Sequence, residues 1–107
     1  MPITERLAVQ NPIHSEFRDD PDFQELLEDF VKEVANRRQT LQEAFARGDF
    51  DQLKTTAHQL KGAGGGYGFS GLSEVAASLE QSCKQRDNAA IELLLGQTVE
   101  YLDRISL

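Results

Sequence analysis

The sequence predicts an all-α protein: an antiparallel up-down-up-down four-helix bundle with an N-terminal arm. Three observations carry this. Apolar residues recur at helical spacing in four successive segments. No segment alternates apolar and polar residues for long enough to make a half-buried strand. All three prolines (Pro2, Pro12 and Pro21) fall within the first 21 residues, which leaves the rest free of the residue that breaks helices.

Residues 1–20 read as an extended arm with a short helix expected around Thr4 to Val9, and residues 21–107 as the bundle. The first long helix is expected from Pro21 to Arg47, with Asp20 as cap and Pro21 at the first helical position. Its apolar stripe is Phe23, Leu26, Leu27, Phe30, Val31, Val34, Leu41 and Phe45. Arg37 and Arg38 interrupt it, and one of them is expected to lay its stem along the core edge. Gly48 fits a C-terminal cap. Asp49 opens the second helix, with Gln52 completing a capping box. A turn follows at Tyr67, Gly68 and Phe69, and Ser70 is expected to cap the third helix. That helix carries Leu72, Val75, Ala76, Leu79 and Cys83 on one face, with Lys84 and Arg86 at its end, where cations are favoured. Asp87 caps the fourth, whose stripe is Ile91, Leu94, Leu95, Val99, Leu102 and Ile105. Connections this short turn successive helices back on one another.

Composition excludes several classes of function. A chain of 107 residues makes one domain. Its net charge of −7 argues against nucleic acid and against anionic membrane surfaces, both of which reward clustered Lys and Arg. No apolar run approaches bilayer length, and no basic region followed by a hydrophobic segment marks a signal peptide. Cys83 is the one cysteine, so neither an internal disulfide nor a multi-cysteine zinc site is available, and a cytoplasmic setting is expected. Cys83 itself belongs to packing. With His14 in the arm and His58 far along the chain, no metal site is expected.

The informative stretch is AHQLKGAGGGYGF, residues 57–69. Each Gly inside a helix costs about 0.8–1 kcal/mol relative to Ala, and here several follow His58 closely. Successive helical residues turn by about 100°. With His58 set at zero, Leu53, Thr56, Leu60, Ala63 and Tyr67 fall within roughly 40° of the opposite side, so the core lies behind the histidine. Lys54, Lys61, Gly62 and Gly65 fall within roughly 60° of His58 itself. The exposed stripe is therefore an imidazole flanked by two ammonium groups and a shelf of bare backbone. Gly62 and Gly65 leave room for a bulky partner. Gly64 points inward, where it lets a neighbouring helix come close, and Gly66 or Gly68 is expected at positive φ as the helix ends.

A neutral imidazole is a nucleophile that titrates near physiological pH. Lys54 and Lys61 favour a dianionic phosphate once it is attached. On an open surface each such pairing is worth only about 0–1 kcal/mol. The stripe makes most sense in a docked complex that excludes water.

Here the sequence resembles the histidine phosphotransfer (HPt) domains of multistep two-component phosphorelays. The family's histidine, Lys-Gly three and four positions on, further Gly and then Leu are matched by His58, Lys61, Gly62, Gly68 and Leu72. The likeness extends loosely over residues 20–107, and the glycine-rich part is also similar to the phosphorylated domain of chemotaxis histidine kinases. The resemblance implies that His58 is the phosphoacceptor, on Nε2. The phosphoryl group would come from a receiver-domain aspartate or a kinase and pass to another receiver aspartate. It implies that Lys61 contacts the phosphoryl group and that Gly62 gives the receiver room. Partners are then response-regulator receivers and a histidine or hybrid kinase. The chain holds no cofactor, because Mg²⁺ belongs to the receiver. It is expected to act as a carrier and not as an enzyme in its own right, and as a monomer, since an exposed stripe this polar gives no reason to expect a dimer.

Other readings stay in view. A helical adaptor would use the same surface for binding only. A small hydrolase or transferase would need a second polar catalytic group near His58. The sequence shows none, since Glu74 and Glu80 are expected on a solvated face. The GYGFSG run satisfies a dinucleotide pattern, but a helix precedes it where a strand is required.

Overall fold

The computed structural model describes residues 11–107. The short helix expected at Thr4 to Val9 lies outside the described residues. A single 3₁₀ turn, Pro21–Phe23, leads into four helices: α1 (Gln24–Arg47), α2 (Phe50–Gly66), α3 (Ser70–Gln85) and α4 (Asn88–Arg104). No strand occurs among the described residues, only an isolated parallel bridge between Ile13 and Ile105. The connections are two or three residues long. Helices α1 and α2, α2 and α3, α3 and α4, and α4 and α1 pack in turn, closing a ring around one core.

The termini of the helices follow local chemistry. Asp20 accepts from the Asp22 amide, so the cap acts on the 3₁₀ turn and not directly on α1. Helix α1 closes on Gly48. Asp49 Oδ1 accepts from the Gln52 amide at 3.0 Å, but the Gln52 side chain turns to Thr56 Oγ1 at 3.0 Å, so only half of the expected box forms. Asp87 caps α4 through the Ala90 amide. Ser70 does not cap α3. Phe69 holds the N-cap position without a side-chain bond, and the Ser70 hydroxyl donates to Glu16 Oε2 at 2.8 Å.

The core is the apolar face of all four helices. Leu27, Phe30, Leu41, Leu53, Leu60, Phe69, Leu72, Leu79, Ile91 and Leu102 are buried. Each such side chain contributes about 1.5–3 kcal/mol through its removal from water. Leu26, expected in the α1 stripe, is instead exposed at 46%. It precedes Leu27, which takes the inward position, and neighbouring helical residues point about 100° apart. Phe30 stacks on Tyr67 with ring centroids 4.7 Å apart and tilts against Phe69 at 5.6 Å, which ties α1 to the α2–α3 turn. Of the two arginines in the stripe, Arg38 edges a groove between α1 and α4 and pairs with Asp103 at 3.0 Å. Arg37 donates to Gln59 Oε1 at 2.9 Å.

The arm is packed along the bundle. The Ile13 amide donates to the Arg104 carbonyl, and the Ser106 amide donates to the Ile13 carbonyl. Ser15 Oγ donates to the Tyr67 carbonyl at 2.6 Å, and the Glu16 amide to the Gly68 carbonyl at 2.8 Å. Gly68 has φ +81°, and a Cβ there would stand 2.5 Å from Ser15 Oγ. Glycine is thus required twice over at that turn, by conformation and by the arm lying on it.

Candidate functional site

Helix α2 presents its polar face away from the core, as the angular arithmetic predicts. Leu53, Thr56, Ala57 and Leu60 are buried, and the His58 side chain is 65% exposed near the middle of the helix. The flanking glycines fall as expected. A Cβ on Gly62 or Gly65 would meet nothing within 4 Å among the described residues, so their packing does not demand glycine at either position. Gly64 is the opposite case. A Cβ there would stand 2.7 Å from the Ser73 backbone nitrogen and 2.9 Å from the Phe69 carbonyl oxygen. Bare backbone at this one point brings α2 and α3 together. Ser73 Oγ fixes the approach by donating to the Lys61 carbonyl at 2.8 Å.

That approach delivers a residue the sequence reading placed elsewhere. Glu80, on α3, was expected on a solvated face, yet it is only 7% exposed. Its Oε2 lies 2.9 Å from His58 Nδ1, and its Oε1 lies 3.1 Å from Lys61 Nζ. Lys84 Nζ stands 3.8 Å from Oε2, one helical turn further along α3. A second polar group therefore does stand beside His58, contrary to the sequence expectation. The reason is register: Glu80 sits at the edge of the α3 stripe, next to Leu79, and the close helix contact folds α2 over it. Glu74 is exposed, as expected.

Burial pushes the Glu80 carboxyl up. Hydrogen bonds from Lys61 and His58, together with their charges, outweigh that and hold it below the ordinary carboxylate value. An ionised carboxylate only accepts, so His58 Nδ1 carries the proton in this bond, and in the neutral ring Nε2 is then the nitrogen with the free lone pair. Lys61 is half-exposed at 41% and is engaged with Glu80, not with the space beyond Nε2. Lys54 is half-buried one turn before His58, and its charge reaches Cys83 on α3. Burial is what pushes the Cys83 thiol up, with Lys54 opposing, so this buried cysteine is an inert packing group.

The arrangement is a helical bundle presenting one imidazole outward, its inner nitrogen held by a buried carboxylate and its outer nitrogen bare. That geometry suits a nucleophile that works on a partner's substrate and not in a pocket of its own. The chain matches the Hpt domain family over residues 25–106 and belongs to it. Membership makes the chain a histidine-containing phosphotransfer domain of two-component systems, where such domains work with receiver domains and kinases. No curated protein and no solved structure matches it. Among the described residues no helix is long and apolar enough to cross a membrane.

Proposed function

We propose that His58 is the phosphoacceptor of this phosphocarrier. Nε2 attacks the phosphorus of a receiver's phospho-aspartate, or of a phosphorylated kinase. From a receiver, the N–P bond forms as the donor's P–O bond breaks and the aspartate leaves as a free carboxylate; from a kinase phosphorylated on histidine, the donor's P–N bond breaks and its imidazole leaves. The reverse displacement hands the group to a second receiver. Glu80 keeps the proton on Nδ1, so the ring meets its partner in the nucleophilic tautomer. Gly62 and Gly65 let the partner's backbone come close. Lys61 and Lys54 supply positive charge beside the group in transit. The Mg²⁺ that neutralises phosphoryl charge belongs to the receiver, so this chain contributes a nucleophile and a surface, and no catalysis without a partner. A monomer in the cytoplasm fits this role.

The observation that carries the reading is the bond from His58 Nδ1 to Glu80 beneath an exposed ring. The test is to mix the protein with a receiver carrying labelled phosphate and follow the label. Transfer to the native chain and none to His58→Gln is the expected result. Binding without transfer in both forms would make the chain an adaptor using the same surface.

A further inference from the structure

Glu80 is a buried carboxylate with two lysines at hand, and the two are not equivalent. Lys61 faces Oε1 at 3.1 Å, while Lys84 stands off Oε2 at 3.8 Å and is 54% exposed. A dianionic phosphoryl group on His58 Nε2 competes with Glu80 for Lys61, which sits one turn from the ring on the same face of α2. If Lys61 left alone, the buried carboxylate would keep only its bond from His58 Nδ1, with Oε1 losing its ammonium partner, and removing one partner from such a group is costly. Lys84 answers that cost. It lies four residues after Glu80 on the same helix, the favourable order for such a pair, and has under an ångström to close.

We propose that Lys84 is the reserve counter-ion of Glu80, closing onto the carboxylate when Lys61 moves to a phosphoryl group on His58. Before transfer, two ammonium groups share one carboxylate. After it, each has an anion of its own. Lys84 is thus a positioning residue: it acts on the phosphoryl group only through Lys61. The inference rests on the reading of His58 as the phosphoacceptor.

The test loads the protein chemically with potassium phosphoramidate, so that no docking partner intervenes. Its P–N bond breaks as the Nε2–P bond forms, and the nitrogen leaves as ammonia. Loading and phosphohistidine lifetime are followed by ³¹P NMR in the native chain and in Lys84→Gln, Lys84→Arg, Lys61→Gln and the double Gln variant. Lys84→Gln and Lys61→Gln are each expected to slow loading about two- to fivefold, the scale of an exposed ion pair. The double variant should be no slower than Lys61→Gln alone, and Lys84→Arg should restore the native rate. The ¹⁵Nζ resonance of Lys61 should move on loading in the native chain and stay fixed in Lys84→Gln. A Lys84→Gln protein that loads at the native rate, or single effects that multiply in the double variant, overturns the proposal and leaves the phosphoacceptor reading standing. Native protein that forms no phosphohistidine at His58, here or from a labelled receiver, overturns both.

Discussion

Glu80 reaches His58 across the interface of α2 and α3, with Oε2 2.9 Å from Nδ1, from a position almost closed to water. The ring's inward nitrogen is thereby a committed donor, and in the neutral ring the lone pair lies on the outward one. A buried carboxylate is a firm anchor because its own position is set by packing.

Replacing Glu80 with Ala removes that anchor. The ring should then populate both tautomers, visible in its ¹⁵N shifts, and transfer from a phosphorylated receiver should slow by about tenfold, the scale at which outer partners of working imidazoles act. His58→Gln should abolish transfer outright. A native rate in Glu80→Ala would detach the carboxylate from the chemistry.

The same carboxylate links stability to pH. Its folded value lies below the ordinary 4.5, so its contribution is full above that pH and fades as pH falls through the folded value. At pH 7 the native chain should be more stable to urea than Glu80→Gln by about 1–2 kcal/mol. The gap should close in acid, where native Glu80 is itself neutral. A gap independent of pH would mean that Gln disturbs packing and not charge.

Gly62 and Gly65 face open space, so the cost they impose on the helix is not repaid by packing among the described residues. Ala at either position should raise stability by about 0.8–1 kcal/mol, measured by thermal or urea unfolding. Leu or Arg there should leave the helical circular dichroism intact while slowing transfer to and from receivers. Unimpeded transfer through a bulky side chain would remove the access argument.

Gly64 should behave in the opposite sense. Ala there must push against backbone atoms of α3 that no rotamer change can move, so Gly64→Ala should lower stability by about 1–3 kcal/mol. Calorimetric unfolding of the two alanine variants, Gly62→Ala and Gly64→Ala, should separate them in sign.

Most of this architecture is legible in the sequence because it follows from periodicity. The arc behind His58, the buried Cys83 and the inward Gly64 come from angular arithmetic, and of the two glycines expected to offer a positive φ where the helix ends, Gly68 takes it. What periodicity does not carry is the register between helices. Glu80 lies at the edge of its stripe, where a single helix does not say whether a neighbour will cover it. The clue lay in the contact that Gly64 makes with Ser73: six residues back on one antiparallel helix and seven on along the other, the chain meets itself at His58 and Glu80. Ser70 departs from its expected capping role for a related reason. Its hydroxyl is claimed by Glu16, and a local motif gives no sign of a distant competitor. Leu26 shows the limit of the stripe itself, since of two adjacent leucines only one faces inward.

The arm has a practical consequence for anyone trimming this protein. The family match begins at residue 25, beyond the serine whose hydroxyl plugs the Tyr67 carbonyl and the glutamate whose amide covers Gly68. An expression boundary drawn at that border would unroof the hairpin just downstream of the histidine and strip the C-terminal tail of its clasp. A fragment cut there would retain every motif letter and still lose the Ser15 and Glu16 bonds that cover the turn.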